Sequence, residues 1–321
     1  MHRRKLGSLD VPAIALGAPI YDAADDAEVS ELLSRSLEAG GDFIDTSDAY
    51  QNGTHEASVG RALKGRRDKF IIATKFGNTR DAGGKPGVDG RPEYVMQACE
   101  KSLRQLQTDV IDLYYIHRID QTVPIEDTVG AMAKLKQQGK IRHLGISEAA
   151  PATLKRAHAT HPMAALQTEY SLWSREPENE LLDLCSQLGI GFVAYSPLGR
   201  GFLSGVVTEA TTLEKGDMRF THPRFQPDNM KRNAKLVEEL GALARKEGCS
   251  NAQLSLAWLL TRRDFIVPVP GTRQVHWLRE NAKAADIKLS AATLAALEKL
   301  FARGAVAGER YPPGLLSRVH I

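Results

Sequence analysis

Short apolar runs recur along this chain, and each gives way abruptly to polar residues. Phe43-Ile44 leads into Asp45-Thr46-Ser47-Asp48, Phe70-Ile71-Ile72-Ala73-Thr74 ends on Lys75, and Val110 to Ile116 ends on His117. Runs of this length rich in Val, Ile and Phe predict strands buried on both faces. The pattern predicts eight: 13–17, the stretch opening at Asp42, 70–75, 110–117, 141–147, 164–167, 191–196 and 265–269. Residues 1–10 are polar around Gly7-Ser8, consistent with a small hairpin.

Between the strands the apolar spacing lengthens to that of helices. Val29, Leu32, Leu33 and Leu37 make one stripe, with Asp25 as candidate cap and Gly40-Gly41 as terminator. Similar stripes run over 56–63, from Pro92 to Leu106, from Ile125 to Leu135, after Pro151, and from Leu181 to Leu188. The stretch 197–226 interrupts the rhythm as a long loop after the seventh strand, carrying Phe202, Leu203, Phe220 and Phe225 among its glycines. Helical segments then reach about 261, and two more follow near 274–284 and 290–302, before a Pro-containing tail. Eight alternations of strand and helix predict a parallel sheet closed as a (β/α)₈ barrel, with 1–321 read as one domain. In such a barrel the chemistry sits at the C-terminal strand ends, where Asp45, Lys75, His117, Ser147, Gln167 and Ser196 fall.

Composition narrows the function. Hydrophobic residues are 42% and charged residues 25%, so a packed core rather than disorder is expected. A net charge of +3 is too small to suggest nucleic acid. Cys99, Cys185 and Cys249 form no CxxC pair, which suits a reducing, cytoplasmic setting and predicts neither zinc site nor disulfides. No apolar run follows the basic N-terminal residues, so neither a signal peptide nor a membrane span is expected.

The barrel would bring Asp45, Tyr50, Lys75 and His117 to one mouth. An ammonium beside a phenol lowers its pKa, so Lys75 would activate Tyr50 as an acid, with Asp45 holding Lys75 charged. A neutral His117 would orient a carbonyl oxygen. The group has no nucleophile arrangement and no metal cluster, so the electron pair must come from elsewhere, and a nicotinamide hydride is the natural source. Asp48 has no partner in this scheme. Taken singly, each of these residues has a plainer reading: a structural ion pair for Asp45 and Lys75, packing for Tyr50, a satisfied strand-end residue for His117. Gly199-Arg200-Gly201 is not a Rossmann fingerprint, because Ser204 stands where the third glycine belongs.

In order and spacing, Phe43-Ile44-Asp45-Thr46-Ser47-Asp48-Ala49-Tyr50, Thr74-Lys75-Phe76-Gly77, Tyr115-Ile116-His117-Arg118, Leu144-Gly145-Ile146-Ser147 and Tyr195-Ser196-Pro197-Leu198-Gly199 resemble the aldo-keto reductase family. The resemblance runs from about residue 5 to the last helix. It implies NADPH bound across the barrel mouth and a small carbonyl substrate, with Asp45, Tyr50, Lys75 and His117 as catalytic tetrad. Ser147 and Gln167 would hold the nicotinamide carboxamide, and Tyr195 would stack on the ring. Backbone at Ser196, Leu198, Gly199, Gly201 and Leu203 would take the pyrophosphate. Gly271, Thr272, Arg273, Gln274, Glu280 and Asn281 would take the adenosine end, with Arg273 on the 2′-phosphate. Glu148 stands where many members carry Asn, and a carboxylate there would accept from the carboxamide. The 77–90 loop, Trp173 and the tail would form the substrate end. The family also contains the potassium-channel beta subunits, so an NADPH-binding regulatory or sensor subunit is the alternative reading. A barrel enzyme acting on sugar phosphates is a third. Oligomeric state is left open.

Overall fold

Along each barrel strand, side chains alternate between a helix layer outside and a narrow core inside. In Ile71–Phe76, Ile72 and Phe76 join the outer apolar layer while Ala73 joins the inner one. Lys75 follows Ala73 at a spacing of two and so points inward, and Asp45 follows Phe43 in the same way. The inner core consists of Phe43, Ala73, Leu113, Tyr115, Ala165, Val193 and Val267. Two residues beyond Phe43, Ala73, Tyr115 and Ala165 stand Asp45, Lys75, His117 and Gln167, where the lining turns polar. That change of layer is what makes a site at this end.

The structure, a computed structural model, describes residues 1–18, 25–81 and 83–319. Ala82 of the expected substrate loop and the last two residues of the tail lie outside the described residues. A hairpin of β1 (Arg3–Leu6) and β2 (Leu9–Pro12) comes first, its turn at the expected Gly7-Ser8. Leu6 and Val11 plug the inner core from the N-terminal end. The barrel strands are β3 (Leu16–Gly17), β4 (Phe43–Asp45) and β5 (Ile71–Phe76). After a second hairpin of β6 (Asn78–Arg80) and β7 (Pro86–Val88) come β8 (Ile111–Ile116), β9 (Ile141–Ser147), β10 (Ala165–Glu169), β11 (Gly191–Tyr195) and β12 (Ile266–Val269). All eight barrel strands run parallel in the order β3-β4-β5-β8-β9-β10-β11-β12.

Helices α1 (Asp26–Glu38), α2 (His55–Ala62), α3 (Pro92–Leu106), α4 (Ile125–Gln137), α5 (Pro151–Thr160) and α6 (Leu181–Leu188) connect successive strands. Asp25 caps α1 with a reciprocal bond from Glu28, as its position predicts. The long α7 (Pro227–Lys246) and α8 (Asn251–Arg262) follow the expected loop, and α9 (Val275–Lys283), α10 (Ala291–Leu300) and the short α11 (Pro313–Leu316) follow β12.

Two expectations are revised. The first strand is two residues long, not five. Ala15 and Gly17 donate to the carbonyls of Pro268 and Pro270, each at 3.0 Å, and this closes the barrel. Pro270 has no N–H to return to Ala15, so regular pairing at this seam is short and comes down to a single bridge between Gly17 and Gly271. The 77–90 loop contains the β6–β7 hairpin, closed by the Asp81 carboxylate, which accepts from the amides of Gly83 and Lys85 at 2.9 Å each.

Gly145 on β9 lies opposite Tyr115 on β8. A Cβ there would stand 2.4 Å from the Tyr115 ring, which is wholly buried beneath Lys75. Gly145→Ala is expected to destabilise the fold by about 1–3 kcal/mol through overpacking. A lower urea midpoint with unchanged slope is the measurement.

Candidate active site

Asp45 ends β4, Lys75 is next to last in β5, and His117 follows β8 directly. Tyr50 opens a single 3-10 turn, Tyr50–Gly53, that bends the chain back over the barrel after β4. All four come together. The Lys75 ammonium, with no solvent exposure, pairs with Asp45 and donates to the carbonyl of Thr46 at 2.7 Å and to the Tyr50 hydroxyl at 3.3 Å. Three N–H donors thus meet three acceptors, which is what a buried ammonium requires. The second Asp45 oxygen accepts from the Gln167 amide at 2.8 Å. Tyr50 and His117 meet edge to face with ring centroids 5.7 Å apart.

Burial acts against the Lys75 charge, but Asp45 and Tyr50 together outweigh it and hold the ammonium above its ordinary pKa. Burial, with Arg118 and Lys75 adding to it, pushes His117 well below the usual imidazole range, so the ring is neutral. Lys75 lowers the Tyr50 phenol, as expected, but burial acts the other way. Burial raises the phenol more than Lys75 lowers it, and its pKa lies above the ordinary value. Burial is not readable from residue types, which is why the ammonium alone suggested the opposite sign.

Glu148 lies just past β9 with left-handed backbone (φ 57°). Its carboxylate accepts from both Arg310 terminal nitrogens at 2.9 and 2.8 Å, from the Tyr195 hydroxyl at 2.8 Å and from the Glu169 amide at 3.1 Å. A guanidinium fork in reach of a carboxylate captures it more strongly than a neutral amide can. Tyr195 also meets Tyr311, hydroxyl to hydroxyl, at 3.0 Å. The tail therefore enters the barrel mouth. A second charge cluster sits at the end of β10, where Glu169 pairs with Arg200 at 2.9 Å and Arg224 at 3.5 Å. Burial opposes the Glu169 charge, but Arg200, Arg224 and Arg310 together bring its carboxyl down to about 2. Arg200 and Arg224 fasten the 197–226 loop to the end of β10.

Ser147 is buried at the end of β9 and Gln167 in the middle of β10, which runs two residues past its expected end; both lie beside the tetrad, Gln167 through Asp45 and Ser147 through Arg118, which donates to it at 3.4 Å. Tyr195 is half-buried at the end of β11 with its hydroxyl anchored. In the turn that follows, Ser196, Gly199, Arg200 and Gly201 all have left-handed backbone. The amides of Gly199, Gly201 and Leu203 donate to Ser196, Leu198 and Leu198 at 2.9, 3.1 and 3.2 Å, so three of the amides expected to face a pyrophosphate are used inside the turn. Trp173, expected at the substrate end, is buried under this turn. It is stacked on Phe202 at 5.3 Å and leaves no room for a side chain at Gly199.

Gly271, Thr272, Arg273 and Gln274 lead from β12 into α9, whose inner face carries Asn281. Arg273 donates to both Glu28 oxygens, at 3.0 and 2.8 Å. Glu280 accepts from the Ser250 hydroxyl. Sequence reasoning missed Ser47, Asp48, Arg118, Glu169, Arg310 and Tyr311. The tail residues had no periodicity to mark them, and Ser47 and Asp48 had no visible partner. Among the described residues no group of acidic, His or Cys side chains is arranged to hold a metal ion, and no helix is long and apolar enough to cross a membrane.

The sequence profile of the aldo/keto reductase family matches residues 13–302. Among solved structures the chain is similar to a glycerol dehydrogenase of Gluconobacter oxydans, at 29% identity and TM-score 0.86, with 94% of this chain and 95% of that one covered. It is similar to an aldo-keto reductase of Bacillus halodurans in its holo form, at 30% identity and TM-score 0.78, covering 97% and 99%. A thermostable aldo-keto reductase solved with the inhibitor epalrestat matches at 31% identity and TM-score 0.75, covering 94% and 100%.

The Glu148–Arg310 pair is almost entirely buried, with side-chain exposures of 1% and 7%. Arg310→Ala is expected to cost about 3–5 kcal/mol, because it leaves a buried carboxylate without its counter-charge. Replacing both residues by apolar ones should cost less than that single change, and denaturant titration of the variants reads the difference.

Proposed function

The chain belongs to the aldo/keto reductase family, oxidoreductases that use a nicotinamide cofactor, and on that premise we propose that it reduces an aldehyde or ketone to an alcohol with NADPH and with Tyr50 as proton donor. The observation that carries this reading is the Lys75 ammonium, buried, held by Asp45 and bonded to the Tyr50 hydroxyl.

The residues at the mouth fit a nicotinamide. Ser147 and Gln167 offer a hydroxyl and an amide beside the tetrad, and the anchored Tyr195 offers a ring face. When bound, the cofactor supplies a hydride to the carbonyl carbon. The protein's share is to supply a proton to the oxygen and to stabilise the charge that develops there. Tyr50, whose pKa lies above that of an ordinary phenol, keeps its proton at neutral pH and so has one to give. Lys75 stabilises the phenolate left behind, and Asp45 keeps Lys75 charged throughout. Neutral His117 fixes the carbonyl oxygen next to Tyr50. At the far end, Arg273 would exchange Glu28, which its Nη2 now meets, for the 2′-phosphate of NADPH, another anion that a guanidinium binds through charged hydrogen bonds.

Tyr50→Phe is expected to lower NADPH-dependent turnover of 4-nitrobenzaldehyde by about a hundredfold or more, with NADPH affinity nearly intact. Undiminished turnover would remove Tyr50 from the role. Arg273→Ala is expected to weaken NADPH by roughly 10–100-fold, the scale of a charged hydrogen bond, and NADH far less. An equal loss for both cofactors, measured by fluorescence titration, would show that Arg273 does not read the phosphate.

A further inference from the structure

Asp48 lies beside the tetrad, is buried, and among the described residues its carboxylate has one hydrogen-bond partner, the Ser47 hydroxyl at 3.3 Å. The same hydroxyl lies 3.1 Å from His117 Nδ1 and accepts from the Ala49 amide at 3.2 Å. A serine hydroxyl has one proton to give and two lone pairs. The Ala49 amide takes one lone pair. One proton and one lone pair remain, and they are divided between His117 and Asp48. Whichever neighbour receives the proton, the other must donate. Asp48, Ser47 and His117 are therefore a directional chain.

We propose that Ser47 and Asp48 are positioning residues that set the tautomer of His117, and through it whether the site can donate a hydrogen bond to the substrate oxygen. With Asp48 ionised, the carboxylate can only accept, and it draws the Ser47 proton because a charged acceptor makes the stronger bond. His117 must then donate from Nδ1, and Nε2 carries a bare lone pair. That arrangement can only accept, and it offers nothing to a carbonyl oxygen. With Asp48 protonated, the acid donates to Ser47, Ser47 donates to Nδ1, and Nε2 carries the hydrogen. That arrangement donates to a carbonyl oxygen, which can only accept. Only the second form presents a donor to the oxygen on which charge develops.

His117 is held neutral by its burial and by Arg118 and Lys75, so it has one ring proton to place. The groups facing Asp48 come from every side: Glu56 on α2, Lys101 and Tyr94 on α3, Lys75 on β5 and Tyr114 on β8. Burial, then Glu56, raises its carboxyl, and Lys101, Ser47 and Lys75 offset them only in part, leaving it at about 7. The chain of bonds thus reverses near neutral pH. Acid conditions favour the donor form of His117.

The proposal rests on His117 meeting the substrate oxygen as set out above, and its test separates the two ideas. The full chain, labelled with ¹⁵N at histidine, is observed by NMR at pH 6 and pH 8, with the His117 signals identified by their loss in His117→Gln. The ring hydrogen is expected on Nε2 at pH 6 and on Nδ1 at pH 8. The swap should vanish in Asp48→Asn, which has no proton to titrate, and in Ser47→Ala, which breaks the chain. In parallel, the wild-type kcat for reduction of 4-nitrobenzaldehyde, divided by that of Asp48→Asn, should fall about tenfold per pH unit above the midpoint, with KM for NADPH unchanged. One tautomer at both pH values, or a swap that survives in both variants, overturns the proposal. Aldehyde turnover without a swap defeats the relay and leaves the reductase reading standing. A swap without turnover supports the relay and defeats the reductase reading.

Discussion

A single buried ammonium organises the barrel mouth. Removing Lys75 from water carries an effective penalty of several kcal/mol unless every N–H is met. The fold meets all three, and the acceptors come from separate places: the side chain of Asp45, the carbonyl of Thr46 and the hydroxyl of Tyr50. The strand pleat makes this possible. Asp45 and Lys75 lie one step above Phe43 and Ala73 on neighbouring strands, so both project into the same layer. The apolar layer beneath them keeps the dielectric low, and that is why the pairing has consequences for chemistry as well as for stability.

Around that centre the mouth is built from charge rather than from grease. Glu148 and Glu169, on adjacent strands, each hold arginines from distant parts of the chain. Arg200 and Arg224 bring the long loop down and Arg310 brings the tail. Such pairs contribute little net stability over apolar residues of equal size, but they permit few alternative arrangements. Loops that must carry a site at fixed geometry gain definition from them. The same logic holds at the Arg273–Glu28 pair, where the guanidinium is oriented by a carboxylate that itself belongs to a helix cap.

The strands were legible because both of their faces are buried, leaving apolar runs such as 70–75 and 110–116 with polar ends. The tetrad was legible because Asp, Lys and His at strand ends are out of place in a hydrophobic layer. The seam at Gly17 was not, because its brevity depends on which residue faces Pro270 across the closure. Nor was the β6–β7 hairpin, whose turn is made by one Asp81 side chain amid glycines that suggest only a loop. The partner of Glu148 lies 162 positions away in a segment without periodicity. The sign of the Tyr50 shift depended on burial, which no single residue type reveals. Asp48 looked idle for a similar reason: its role needs the folded path through Ser47.

The pairing of Glu148 with Arg310 also imposes an order in time. A chain is made from its N-terminus, so every strand of the barrel has been synthesised before the residue that neutralises Glu148 is added. Until then Glu148 and Tyr195 lack two of the groups that hold them, Arg310 and Tyr311. The scaffold can close early, but the mouth is the last part of this protein to come into being.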